Sequence, residues 1–206
     1  MKYIFGFLIA LIAVSACKKK DITYVVEGVI TDNSYSQPLA GATVDIYEVP
    51  LGSSTPTTVL ASVTTGSDGK YHFEFKREKI EKYVIVITKN GYFSTSTEFH
   101  ADDLSTQETN TFSHTTTAKS WVKLRFINTD AGVNLKYIRQ SGKTDCDECC
   151  ASTDQYLYDA VDTAIYCIND GNTTYSYYYW VLGSTINGPK SVVTTPFDTV
   201  DLVLNY

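Results

Sequence analysis

The chain has 206 residues with a formal net charge of −6, and 19% of its residues are charged. This acidic balance excludes a protein that reads nucleic acid through its phosphates, because such proteins need a surplus of Lys and Arg. Tyrosine occurs 16 times against a single methionine, and Thr, Ser and Val are also abundant, a composition typical of half-buried strands. We therefore expect an all-β protein.

Residues 1–16 have the layout of a secretory signal peptide. Lys2 gives a basic start, and an apolar run extends from Tyr3 to Val14. This run is shorter than the roughly 20 apolar residues that a spanning helix needs. It ends in Val14-Ser15-Ala16-Cys17, which resembles a bacterial lipobox. The resemblance implies cleavage before Cys17 and lipidation of that cysteine, and several acyl chains on one residue give stable anchoring.

Residues 17–21 are predicted to form a lipidated tether, in which three lysines lie beside the lipid, Lys18 to Lys20. Lysines at this place are most simply solvated near anionic head groups. Position 18 is not the aspartate that is linked to inner-membrane retention in the lipoproteins resembled. The resemblance therefore implies a lipid-anchored protein of the outer membrane. The choice between its periplasmic face and the cell surface stays open.

From residue 22 onward, short alternating segments separated by turn residues predict strands. Those of the first part are 22–30, 42–47, 57–65, 71–75, 83–88, 92–99 and 109–117. Gly28 interrupts the first of them and predicts a bulge or a close backbone approach. Asp68 is interpreted as a turn residue in Gly-Ser-Asp-Gly, and Asn90-Gly91 as a hairpin turn. Seven short strands at this spacing predict a β-sandwich.

Three stretches of this first part resemble the carboxypeptidase regulatory-like domain. They are Pro38 to Val44, Thr64 to Phe73 around Gly69, and Tyr83 to Thr88 with Gly91-Tyr92. The resemblance implies an Ig-like, transthyretin-like (prealbumin-like) seven-stranded sandwich over residues 22–118. It also implies a non-catalytic spacer or accessory module of the cell envelope. The shared positions are turn glycines and core residues, which support the fold more than the function.

Residues 119–206 predict a second, smaller β-sandwich-like domain of no recognised family, with one long sandwich as the alternative. Its predicted strands are 121–128, 133–139, 161–168, 174–182 and 200–206. We expect 133–139 to form a hairpin with 121–128. The mixed polarity of one face of 121–128 indicates an edge strand or a face covered by solvent. Segment 154–162 is the nearest approach to a helix, and it would form a single turn.

Four cysteines remain after the lipobox, at Cys146, Cys149, Cys150 and Cys167. In an oxidising envelope they predict two disulfides. Adjacent cysteines rarely bond each other, because a vicinal bond strains the backbone. We therefore expect Cys149 and Cys150 each to pair with Cys146 or Cys167. A four-thiolate zinc site and redox chemistry are the alternatives.

Other candidates for metal binding are weaker. The acidic residues among the cysteines, Asp145, Asp147 and Glu148, are interpreted as a solvated loop, since an EF-hand spacing is missing and calcium is only the alternative. The three histidines are His72, His100 and His114. Intradiol dioxygenases have a similar sandwich and bind iron through two His and two Tyr, but no cluster with ligand spacing occurs here. The sequence therefore predicts no metal and no cofactor.

Tyr175 to Trp180 has the most unusual local composition. In a strand, Tyr175, Tyr177 and Tyr179 share one face, and Tyr178 and Trp180 share the other. If the three tyrosines were exposed, they would stack on sugar rings or form a protein interface. The alternative is a strand packed in the sandwich with hydroxyl groups at its rim.

No nucleophile elbow, phosphate loop or zinc-protease motif is present. We therefore expect a non-enzymatic, structural or accessory lipoprotein that holds a protein partner near the membrane. The alternative is a surface lipoprotein that binds a glycan through the Tyr175–Trp180 strand. A metal-dependent enzyme is the least favoured hypothesis.

Overall fold

The computed structural model describes residues 22–206. The predicted signal peptide, the lipidation of Cys17 and the tether lie outside these residues. The prediction of an all-β chain is confirmed, because the regular elements of the described part are strands and one 3₁₀ turn, Ala101–Asp103. Within that part, no helix is long and apolar enough to cross a membrane. The expected turn of helix in 154–162 is wrong, since the segment contains a short strand instead.

Nine strands make up the first half of the described chain: β1 (Thr23–Asp32), β2 (Gln37–Pro38), β3 (Thr43–Val49), β4 (Thr58–Thr64), β5 (Lys70–Lys76), β6 (Lys82–Thr88), β7 (Thr95–Phe99), β8 (Asn110–Thr111) and β9 (His114–Thr116). One sheet centres on β1, which pairs with β5 and β2 and, in parallel, with β8 and β9. The other sheet has the order β4-β3-β6-β7. All seven predicted strands are present, with the last divided into β8 and β9.

Alternation along these strands places one face of each sheet in a shared core. Tyr24, Val26 and Ile30 of β1 are fully buried and face the side chains of the β3 and β6 sheet. Strand β6 is buried on both faces near Val84 and lies between β3 and β7, as an apolar strand of this kind predicts.

Gly28 is a point of close backbone approach, as the sequence predicts. A Cβ atom at this position would lie 1.8 Å from the carbonyl oxygen of Phe112. That carbonyl also accepts a hydrogen bond from Tyr71 Oη at 2.5 Å. Phe112 lies between β8 and β9, at the point where the last predicted strand divides.

Seven strands make up the second half: β10 (Lys119–Asn128), β11 (Leu135–Ser141), β12 (Gln155–Leu157), β13 (Val161–Asp170), β14 (Thr174–Val181), β15 (Asn187–Val193) and β16 (Thr199–Asn205). They form a three-stranded sheet, β13-β10-β16, and a four-stranded sheet, β12-β11-β14-β15. A second core of buried residues, including Leu124, Phe126 and Leu135, lies among these strands. The expected second β-sandwich is therefore present.

The predicted hairpin between 121–128 and 133–139 is wrong. Strand β10 pairs with β13 and β16, whereas β11 pairs with β12 and β14 in the other sheet. The chain crosses between sheets after Asn128, whose amide donates to the carbonyls of Asp130, Val133 and Asp159. Because these bonds hold the crossover, the short connection does not close a hairpin.

The mixed polarity of β10 predicted either an edge strand or a face covered by solvent. Strand β10 lies at the centre of its sheet, so the second alternative holds. The charged side chains of that face are paired with neighbouring strands. Lys123 Nζ lies 3.7 Å from Asp201 Oδ1, and Arg125 Nη2 lies 3.1 Å from Asp162 Oδ2. Pairs of this kind at an exposed face contribute little to stability, but they orient the long side chains along the sheet.

Candidate functional site

Strand β14 carries the tyrosines predicted to contact a ligand, and the structure contradicts that role for two of them. Tyr175 is 1% exposed and Tyr177 is fully buried. The ring of Tyr177 lies 5.7 Å from the rings of both Phe126 and Tyr137. Tyr175 and Tyr177 therefore fill the core of the second half, and no glycan can stack on them in the folded protein.

The hydroxyl groups of these tyrosines differ in their surroundings. Tyr175 Oη donates to Cys167 Sγ at 3.3 Å, and burial raises the pKa of Tyr175 to about 12. The hydroxyl oxygen of Tyr177 is buried and has no hydrogen-bond partner among the described residues. Burial also raises the pKa of Tyr177. Tyr179 is half-buried and packs against the edge of the same core. The phenols of Tyr175 and Tyr177 therefore stay neutral at physiological pH.

The opposite side of β14 is the one that faces solvent. Tyr178 and Trp180 project from it, with their ring centroids 4.7 Å apart. Their neighbours across the sheet include Lys136 of β11 and Tyr156 of β12. We call this surface the outer aromatic face and define it by Lys136, Tyr156, Tyr158, Tyr178 and Trp180. Alternation in β14 groups Tyr178 with Trp180, and the Tyr-x-Tyr pattern at 156–158 groups the other two rings, but neither pattern says which face of the sheet is exposed.

The cysteine loop, residues 142–154, is closed by two disulfides. Cys146 is bonded to Cys149, and Cys150 is bonded to Cys167. This pairing is one of those that the sequence left open. Cys167 lies on β13 and is fully buried, so the second bond attaches the loop to the core of the second half. All four sulfur atoms are used in these bonds, and the arrangement therefore offers no thiolate to zinc.

The three histidines lie in separate environments. His72 Nδ1 is 3.8 Å from Glu27 Oε2 at the surface, and His100 Nδ1 is 3.0 Å from the carbonyl of Glu81. His114 stacks on Tyr71, and burial lowers the pKa of His114. In residues 22–206, no group of three or more His, Cys, Asp or Glu side chains could hold a metal ion.

A cleft of about 450 Å³ opens beside His72 and Glu27 in the first half. Ser113 also lines it, so a hydroxyl, an imidazole and a carboxylate share one depression. Ser113 Oγ accepts a hydrogen bond from the Val29 amide at 3.3 Å. Between residues 22 and 206 no hydrogen bond joins Ser113 to His72, so the serine lacks the contact with a base that an activated nucleophile needs.

The two halves meet at Ala118 and Lys119, where backbone hydrogen bonds tie the connection from both sides. Lys119 N donates to Gly91 O at 2.7 Å, and Gly171 N donates to Ala118 O at 2.8 Å. Ala118 also forms an antiparallel bridge with Tyr92. The connection is therefore part of both halves and not a free linker.

Side chains extend this junction. Asn172 Nδ2 in the second half donates to Ser34 O in the first at 2.8 Å. The rings of Tyr92 and Phe197 lie 5.3 Å apart at a steep angle, and Thr117 donates to the Asp170 carboxylate. Ring packing and polar contacts on several sides of one connection restrict rotation of one half against the other.

Comparisons with known proteins identify no family. No family model and no curated protein matches the sequence. Among solved structures, the chain is similar to a streptococcal ancillary pilin, with 11% identity and a TM-score of 0.34, covering 88% of this chain and 62% of the pilin. It is also similar to catechol 1,2-dioxygenase from Pseudomonas arvilla C-1, with 17% identity and a TM-score of 0.30, covering 41% of this chain and 37% of the enzyme.

A third match is 3-chlorocatechol 1,2-dioxygenase from Rhodococcus opacus 1CP, with 12% identity and a TM-score of 0.31, covering 47% of this chain and 59% of the enzyme. The chain spans less than two thirds of the length of each of these three proteins. Similarities of this size carry no argument about activity, substrate or partner.

These matches contradict the prediction that the chain is not an enzyme. That prediction took the sandwich of the first half as non-catalytic, yet catechol 1,2-dioxygenases are among the structures that match part of the chain. The same matches do not make it a dioxygenase, because they are partial and weak.

Proposed function

We propose that the chain is a lipid-anchored accessory protein of the bacterial outer membrane, in which the first half is a spacer and the second half presents a surface to a partner. The spacer would be a prealbumin-like, carboxypeptidase regulatory-like domain over residues 22–118, and the presenting domain would cover 119–206. The junction is the observation that carries the proposal. A connection held by both halves keeps the second half at a fixed position relative to the anchored end.

The position of the lipobox supports the same proposal. Only residues 18–22 separate Cys17 from the start of β1 at Thr23. An anchor at Cys17 would therefore hold the first half close to the membrane, because so few residues have a short maximum reach. The second half would then be displaced from the membrane by the length of one sandwich.

Lipidation is tested with the Cys17→Ser variant of the full chain, expressed in a bacterium that has an outer membrane. We expect labelling with an alkyne analogue of palmitate and recovery in the outer-membrane fraction for the natural chain, and loss of both for the variant. Thr23→Ser, at the start of β1, is the matched control and should keep both. Labelling that persists in Cys17→Ser would contradict the proposed anchor.

The spacer role is tested by photo-crosslinking in cells. A photoreactive residue at Leu182 probes an exposed site of the second half, and one at Val59 probes an exposed site of the first half. We expect a discrete crosslinked species of higher mass from Leu182 and none from Val59. Equal crosslinking from both positions would show that the second half is not the presenting part.

A further inference from the structure

The outer aromatic face joins three strands in one row. Tyr156 lies opposite Lys136 in the register of β12 and β11, and Lys136 lies opposite Trp180 in the register of β11 and β14. Tyr178 is two residues from Trp180 on the same side of β14, where it lies opposite Pro189 of β15. The row of Tyr156, Lys136 and Trp180 therefore crosses three of the four strands of the sheet and has an aromatic ring at each end.

Most of these rings stand on strands of the sheet, and Tyr158 follows the end of β12. The neighbouring residues of β14, Tyr177 and Val181, are buried in the core and fix the strand beneath the face. Tyr156 and Tyr158 stand nearly parallel, with centroids 6.2 Å apart and an interplanar angle of 9°. Tyr156 is 44% exposed and Tyr158 is 62% exposed. Tyr178 and Trp180 are partly exposed, and rings held on strands bind with little loss of conformational entropy.

Polar groups lie between the rings, and the charged ones among them already form an ion pair. Lys136 Nζ is 5.1 Å from the Trp180 ring centroid and 2.8 Å from Asp154 Oδ2. The hydrogen bond to Asp154 raises the pKa of Lys136, and the opposite formal charges of the two side chains offset each other. Tyr178 Oη donates to Asn187 Oδ1 at 2.6 Å. The face thus offers hydrogen-bond donors and acceptors beside apolar rings without an excess of either charge.

This combination fits one ligand chemistry. A sugar ring has an apolar side of C–H groups, which stacks on an aromatic ring, and hydroxyl groups at its edge that both donate and accept hydrogen bonds. We propose that the outer aromatic face binds a neutral polysaccharide, with a sugar ring stacked on Trp180 and a neighbouring ring on Tyr156. The balanced Lys136–Asp154 pair and the net charge of −6 disfavour an anionic glycan.

This ligand would bind the second half, which is the part that presents a surface to a partner in the proposed function. Its binding does not depend on the lipid anchor. Tyr175 and Tyr177, the residues first considered for this role, take no part in it because they are buried. Loss of lipid labelling and loss of polysaccharide binding are separate measurements, so each proposal can fail alone.

The test uses the full chain, purified in detergent, in native gels that contain a neutral polysaccharide. The probes are a β-1,3-glucan, a β-1,4-glucan, an α-glucan, a mannan and a galactomannan, with polygalacturonate as the anionic counterpart. We expect retardation by at least one neutral probe and none by polygalacturonate. Trp180→Ala should weaken the apparent affinity about tenfold, the loss that follows when one stacking contact of roughly 1.4 kcal/mol is removed.

Two further variants make the result specific. Trp180→Phe keeps a ring at the site and should lose about threefold or less, which separates loss of stacking from a damaged fold. Tyr166→Ala removes a tyrosine that is 59% exposed on the other sheet, and it should bind as the natural chain does. Thermal unfolding of each variant checks that the fold is kept.

Three results would overturn the inference. In the first, no neutral probe retards the natural chain. In the second, Trp180→Ala is retarded as much as the natural chain. In the third, the natural chain sediments as a dimer and Trp180→Ala sediments as a monomer. The last result would show that a second copy of the chain covers the face. Retardation by polygalacturonate alone is a case of the first result, and it would show that the ligand is recognised by charge.

Discussion

The bond between Cys150 and Cys167 should be the main covalent support of the second half, and its removal is a quantitative test of the structure. Replacing both cysteines by Ala releases the loop 142–154 from β13. The bond between Cys146 and Cys149 lies in the same loop but joins residues only 3 apart, so the double variant Cys146→Ala/Cys149→Ala is a matched control.

The expected losses follow from the size of the closed loops. A disulfide stabilises mainly by restricting the unfolded chain, and the restriction grows with loop length. For the separation of 17 residues between Cys150 and Cys167, this relation gives roughly 3 kcal/mol of unfolding free energy. For the separation of 3 residues it gives roughly 2 kcal/mol. Cys167 is fully buried, so its truncation also removes packing and widens the difference.

Urea unfolding followed by tryptophan fluorescence measures both losses. The chain has two tryptophans, Trp121 and Trp180, and both lie in the second half. The signal therefore reports mainly on the half that contains the disulfides. The reasoning is refuted if the Cys150/Cys167 variant loses less than about 1 kcal/mol, or if the control variant loses as much.

Three other perturbations have directions set by the structure. Burial lowers the pKa of His114, so its contribution to the free energy of unfolding is complete above a pH of about 6.5 and is lost as the pH falls through the lowered pKa. The melting temperature of the natural chain should therefore decline more between pH 7.5 and pH 5.5 than that of His114→Gln. Equal declines in the two proteins would contradict this. Gly28→Ala places a Cβ 1.8 Å from Phe112 O and should cost about 3 kcal/mol or more in urea unfolding, whereas a loss below about 1 kcal/mol would show that the strands are not in such contact. Tyr92→Phe leaves Asp32 Oδ2 without its partner at 2.8 Å and should cost about 2 kcal/mol by calorimetry; an unchanged melting temperature would argue against this buried bond.

Strand positions were predictable because alternation and turn residues are local properties of the chain. Segments such as 83–88 and 200–206 show the strand pattern directly, and the structure has strands at both. Strand β15 was missed because Asn187-Gly188-Pro189 lacks an apolar face and resembles a loop. Its place at the edge of the sheet, paired only with β14, tolerates such residues.

Strand pairing was less predictable, because it depends on contacts between distant residues. The short connection after β10 favoured a hairpin, since a few turn residues usually join neighbouring strands. The three hydrogen bonds from the Asn128 amide, one of them to Asp159 on a remote loop, redirect the chain to the opposite sheet. A sequence pattern does not contain that information.

The candidate site shows the same division between local and distant information. The sequence separates the aromatic residues of β14 into two sets, but both sets are aromatic, so hydrophobicity does not decide which one is buried. Phe126 and Tyr137 decide it, because their rings form the pocket that Tyr177 fills. Tyr178 and Trp180 are consequently left for solvent, and the surface that they form was not predicted.

The parallel pairing of β10 with β16 has a mechanical consequence. These are the first and last strands of the second half, and they are in register from Trp121 and Thr199 to Ile127 and Asn205. A force that pulls the start of β10 away from the end of β16 acts along the strands and at right angles to their hydrogen bonds. All the bonds of the pair then bear load together in shear, instead of opening one after another. The second half should therefore resist stretching between its ends better than a sandwich whose terminal strands peel apart.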